Sequence, residues 1–198
     1  MPKPSNFRRS NLVILVTLVL SSILYFPLNR HTHHGYILTT SLDKHIPFLP
    51  IFAIPYLLFL PLFWLTVIYA LLKKRLFVQL ALAAIVVYIC SDLLYVLFQT
   101  FAPRPQLVGS SLAIQLMRFI YVHDRPFNDL PSGHTAAATL FGLYFLAIKH
   151  RWRVPLIALA LVVIASTLFI KQHSIIGASG GVLLALISWF SVSHVLDK

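Results

Sequence analysis

The sequence predicts an all-α protein, a bundle of six transmembrane helices. Three observations predict it. First, apolar residues make up 59% of the 198-residue chain and charged residues only 11%, with a mean hydropathy of +0.84. Soluble domains carry about 25% charged residues, and disordered chains combine low hydrophobicity with high charge, so both classes are excluded. Second, the apolar residues fall into six runs, 12–28, 48–72, 76–98, 134–148, 154–170 and 175–195. A bilayer core of about 30 Å takes about 20 helical residues. Third, basic residues punctuate these runs instead of forming a patch. The chain has 16 Lys and Arg against five Asp and no Glu, a net +11. On a soluble protein that balance suggests nucleic acid. Here it borders apolar segments, so membrane lipids are the expected partners and nucleic acid is not. Residues 1–198 read as one integral membrane domain, and oligomeric state is not legible. Cys90 stands alone, so no intrachain disulfide forms.

The first run follows Lys3, Arg8 and Arg9 like a signal peptide, but it lacks a small-x-small cleavage site and reads as a retained helix. The next connection holds His31, His33, His34 and His45. A His-x-His-His cluster can bind a transition metal. With no Cys or Glu beside it, a polar loop facing headgroups is the better reading, and no metal is expected. Lys73, Lys74 and Arg75 separate the second and third runs. Asp92 lies inside the third, where an acid is either functional or a hydrogen-bonded structural group. The connection 99–133 is the longest and reads as an outer loop carrying most of the chemistry. The fourth run is short and has to borrow length from its Pro131 end or sit in a thinned boundary. In the sixth, Gly177, Gly180 and Gly181 make a small-residue face suited to close packing. Trp64, Trp152 and Trp189 fit interfacial belts.

Orientation follows from the basic residues. With six spans, ten of them fall on the side of both termini and six on the other. Both termini are therefore expected in the cytoplasm. Most of the six exceptions lie beside a proline, a histidine or an acid, as an anion site on the outer face requires.

Three clusters carry chemistry. Pro131-Ser132-Gly133-His134-Thr135 opens the fourth run. Ser132, Gly133 and the free N–H groups of a helix start can bind an anion, and His134 is placed to give a proton to a leaving oxygen. An ordinary capped helix start carries the same residue types. Lys171-Gln172-His173 follows the fifth run on the same face. His173 can attack phosphorus and form a phosphohistidine, and Lys171 can hold a phosphate oxygen as a point charge. Arg104, Arg118 and Arg125 lie in the outer loop, where each suits phosphate binding or snorkels to headgroups.

These motifs resemble the type 2 phosphatidic acid phosphatase superfamily, whose pattern is Lys-x6-Arg-Pro, then Pro-Ser-Gly-His, then Ser-Arg-x5-His-x3-Asp. The middle motif is intact as Pro131 to His134. For the first, Arg104-Pro105 has the family position after the third helix, and Arg118-x6-Arg125-Pro126 matches the spacing. In the third, Ser166 and His173 align, while Thr167 stands at the Arg position and Gly177 at the Asp position. The resemblance implies a six-helix membrane fold, a lipid phosphate substrate, His173 as nucleophile and His134 as acid, with no cofactor. It also implies a bacterial inner membrane with the site on the periplasmic face. The same chemistry serves a lipid phosphotransferase. A non-catalytic lipid-phosphate-binding relative is the other alternative, because Gly177 replaces the acid that orients the nucleophile. On that reading activity is impaired and Gly177→Asp raises it, unless Asp92, Asp129 or Asp124 does the orienting.

The charge asymmetry makes one prediction. In a Cys90→Ser background, Ser110→Cys reacts with an impermeant maleimide in intact cells. Labelling only after permeabilisation contradicts the orientation.

Overall fold

The structure, a computed structural model, describes residues 4–30, 34–74 and 76–198, with side chains from residue 9 onward. Lys3, His31, His33 and Arg75 lie outside the described residues. The helices are α1 (Pro4–Ile23), α2 (Tyr25–Arg30), α3 (Ser41–His45), α4 (Ala53–Lys73), α5 (Phe77–Leu97), α6 (Leu112–His123), α7 (Gly133–Ala147), α8 (Arg153–Phe169) and α9 (Ile175–Leu196). Two short strands, β1 (Tyr36–Ile37) and β2 (Thr100–Phe101), pair in parallel, with Tyr36 opposite Thr100.

Among the described residues, four helical stretches are long and apolar enough to cross a membrane, namely 9–30, 50–73, 77–97 and 175–196. The runs expected at 134–148 and 154–170 form as α7 and α8, but with 15 and 17 residues they are shorter. α7 is walled in by α4, α5, α8 and α9. The first run differs too. Its helix starts earlier than expected and breaks at Leu24, because Pro27 has no N–H to give the Ile23 carbonyl.

Small residues set the packing. Ala81, Ala83 and Ala84 of α5, Ala136 to Ala138 of α7 and Ala178 and Ala185 of α9 are buried. Without a hydrophobic force between helices in lipid, such residues gain their packing by close approach. Phe59, Phe63, Phe141 and Tyr144 fill the remaining space. Val13, Leu20, Leu58, Leu65, Leu183 and Phe190 stay on the outside, as a lipid-facing surface requires.

The segment expected as an outer loop is largely ordered by its own structure. It contains β2 and the amphipathic α6, capped by the Ser111 hydroxyl, which accepts from the Ile114 N–H. Ile114, Met117 and Ile120 of α6 are buried, and the last two join Ala53, Tyr56 and Ile170 in a second cluster. Their spacing of three residues keeps Ile114, Met117 and Ile120 on one side of so short a helix.

The stretch 125–131 is held from several directions. The Asn29 amide donates to the carbonyls of Arg125 (3.0 Å) and Phe127 (3.2 Å), and its oxygen accepts from the Arg125 N–H (2.8 Å). Gln99 exchanges bonds with Asn128, whose left-handed backbone (φ 63°) is one that Asn tolerates. The Thr100 hydroxyl accepts from the Leu130 N–H at 2.8 Å, and the Tyr95 hydroxyl donates to the Pro131 carbonyl. Asn29 is 1% exposed, so truncation orphans buried backbone groups at about 1–3 kcal/mol. Asn29→Ala therefore lowers the thermal unfolding midpoint in detergent. An unchanged midpoint contradicts the clamp.

Candidate active site

His134 is the second residue of α7. Its N-cap is Ser132, whose hydroxyl accepts from the Thr135 N–H at 3.3 Å and is fully buried. The Ser132 hydroxyl, expected to bind an anion, caps α7 through its oxygen. Gly133 is open, with nothing within 4 Å of where a Cβ would stand. The His134 ring stacks on Tyr56 of α4, centroids 3.9 Å apart and planes 19° from parallel.

His173 lies in the turn between α8 and α9. Its neighbour Gln172 connects it to His134. The Gln172 amide donates to the Tyr56 hydroxyl (3.3 Å) and to Asp124 (2.9 Å). Tyr56 and Tyr25 both donate to the Asp124 carboxylate, at 2.8 and 2.6 Å. One carboxylate thereby joins α2, α4, the end of α6 and the α8–α9 turn.

Of the three arginines, Arg104 comes to this cluster. Its guanidinium donates to the Asp124 carbonyl (2.7 Å) and lies 4.3 Å over the Tyr121 ring, while its buried Nε has no hydrogen-bond partner. The other expected phosphate ligands are engaged elsewhere. Arg118 is exposed and donates to the Gly109 carbonyl, and Arg125 donates to the Arg30 carbonyl beside Phe127. Lys171 donates to the carbonyls of Asp43 (2.9 Å) and Ile46 (2.6 Å), so its ammonium holds the α3 segment. Each of these side chains, Arg104 included, donates to a backbone carbonyl, and Arg104 is the one that does so at Asp124.

The place of the expected acid at 177 is filled from another segment. A Cβ on Gly177 would collide with the carbonyl and the carboxylate of Asp129. Asp129 is fully buried; its carboxylate accepts from the Ser174 N–H (2.8 Å) and hydroxyl (2.6 Å). His173 Nδ1 lies 3.0 Å from the Asp129 carbonyl oxygen and 3.5 Å from its Oδ1. Burial opposes ionisation of Asp129, yet the approach and charge of His173 and the two bonds from Ser174 hold its carboxyl below its ordinary value. A depressed carboxyl stabilises the fold above the ordinary value of about 3.9 and loses that contribution as pH falls through its lowered value. Asp92 is instead in mid-α5, among residues of the helix core.

Tyr25, Tyr56 and Asp43 were missed in the sequence, and Gln172 was read only as a member of the Lys171-Gln172-His173 cluster, with no role of its own. Asp43 accepts from the Ile175 N–H at 2.7 Å and so caps α9 across 132 residues of chain. The tyrosines were hidden inside apolar runs; their signal was position, in the first turns of α2 and α4.

Beside His134 lies a cavity of about 240 Å³, mostly apolar, lined by Tyr25, Tyr56, Trp64, Tyr88, Gly133 and His134 among others. A helical integral membrane protein with two histidines, an arginine and a pocket at one end is the class so defined. The chain belongs to the PAP2 superfamily, whose family model matches residues 76–198, well over half of it. Members are generally phosphatases, so the function is of phosphatase type. No curated protein and no solved structure matches the chain.

The collision at Gly177 reverses the expectation that an acid there helps. Gly177→Asp forces the 129–132 segment away from α9, at an overpacking cost of about 1–3 kcal/mol. Its unfolding midpoint falls and phosphate release does not rise. A variant as stable as the parent and faster contradicts this geometry.

Proposed function

We propose that the chain is a membrane lipid phosphatase that removes phosphate from a lipid phosphate or diphosphate at the outer leaflet, through a phosphohistidine intermediate. Six helices cross the membrane in this reading, α7 enclosed by its neighbours and α8 with Val154, Leu161 and Val162 exposed on its outer flank. The observation that carries it is the network in which Gln172, the neighbour of His173, and Tyr56, stacked on His134, meet at Asp124 beside Arg104, with an apolar cavity lined by Asp124 and His134 next to it. Phe26, Leu60 and Phe119, which also line that cavity, are exposed on the lipid-facing flank. A headgroup at the histidines thus keeps its tail in hydrocarbon.

In mechanism, His173 Nε2 attacks phosphorus while the bond from phosphorus to the lipid oxygen breaks. His134 gives its proton to that leaving oxygen. The Arg104 guanidinium stabilises the charge on the non-bridging oxygens, aided by the backbone N–H groups that open α7. Water then attacks the phosphorus of the phosphohistidine, His134 accepts the proton of water, and inorganic phosphate leaves with His173 restored.

Purified protein is tested for phosphate release from phosphatidic acid, phosphatidylglycerophosphate and undecaprenyl diphosphate. At least one is hydrolysed, and labelled phosphate is trapped on the protein. His173→Ala abolishes both turnover and trapping. His134→Ala slows turnover by about 10²–10⁴-fold while trapping from an activated leaving group persists. Label that survives in His173→Ala, or no release from any lipid, refutes the proposal.

A further inference from the structure

We infer that Asp129 is the positioning residue of His173, supplied from the segment before α7 in place of an acid on α9. This rests on the reading of His173 as nucleophile.

A nucleophilic imidazole has two requirements. The proton has to sit on Nδ1 so that Nε2 offers its lone pair, and the positive charge that develops on the ring has to be balanced. Asp129 meets both from one residue. Its carbonyl oxygen, 3.0 Å from Nδ1, is an acceptor and so selects the Nδ1–H tautomer. Its Oδ1, 3.5 Å from the same nitrogen, supplies the negative charge. Among the described residues, the ion pair of Asp129 is with His173, and no Lys or Arg shares it. The Ser174 N–H and hydroxyl fix the carboxylate without neutralising it.

Two further features fit this role. Gly177, one helical turn beyond His173, leaves empty the volume that Asp129 occupies. The segment carrying Asp129 is anchored on both sides, by Gln99 at Asn128 and by Thr100 at Leu130, and the Ser132 N–H donates to the Gly177 carbonyl at 2.9 Å. A residue needed only to cap α9 has no use for contact with an imidazole, and α9 already has Ser174 as its N-cap and Asp43 on the Ile175 N–H.

Asp129→Asn is the test, because the amide keeps the size of the side chain and can still accept from the Ser174 N–H. It removes the charge and leaves the backbone carbonyl. The expected result in purified full-length protein is a fall in kcat of about 10²–10³-fold with KM within about twofold, in a variant that still unfolds cooperatively, at a lower midpoint. In ¹⁵N-histidine spectra, parental His173 shows the Nδ1–H tautomer, and its resonances move in Asp129→Asn. Undiminished kcat in a folded variant overturns the inference, as does a loss of kcat that merely tracks a loss of folded protein. If the parent hydrolyses no lipid phosphate, the proposed function fails and the spectra decide the pairing alone. Should Asp129→Asn not fold, the parental spectrum decides, since an Nε2–H tautomer at His173 excludes the arrangement.

Discussion

A carboxylate with no exposed surface sits where two distant parts of the chain meet, and the functional end of the molecule is arranged around it. A buried charge has to be hydrogen-bonded or paired, or it loses its ionisation. Asp129 is satisfied by Ser174 and faces His173. Those bonds require the segment before α7 to lie directly on the start of α9, and that contact is possible only because Gly177 has no side chain. At Gly181 the same economy lets α9 meet Thr135 and Ser132 at the opening turn of α7. The two histidine-bearing turns are thereby drawn to one place.

A second carboxylate completes the frame. Asp124 gathers Tyr25, Tyr56 and Gln172 by its side chain and Arg104 by its carbonyl. The body of the bundle below is held differently, by close contact of alanines and by aromatic packing. A polar network of this kind fixes geometry at the cost of needing every member satisfied, so it is concentrated at the end where chemistry is expected.

Much of this was legible in the sequence, for reasons that differ by residue. The apolar runs and their basic punctuation gave the helical membrane class, because composition and length alone decide it. His134 and His173 stood out because polar residues at the ends of apolar runs are few. Spans were less legible, since α7 and α8 are shorter than the four stretches whose length and apolarity alone suffice, and α7 is enclosed by protein. Partners were least legible. Which arginine comes inward depends on which backbone carbonyls lie within reach, and Arg118, Arg125 and Lys171 found carbonyls far from the histidines. The absent acid at 177 read as a loss because the motif was taken along one helix. Asp129, the acid that packs against His173, lies 44 residues before it, a separation that only the packed structure closes.

The most direct measurement is an experimental structure of the protein with vanadate, which takes the five-coordinate geometry of phosphorus in transfer. The account predicts vanadium bonded to His173 Nε2, an oxygen at the opposite apex facing His134, Arg104 on the equatorial oxygens, and the Asp129 carbonyl on Nδ1. Vanadate bonded to His134, or held by Arg118 and Arg125 away from both histidines, contradicts it.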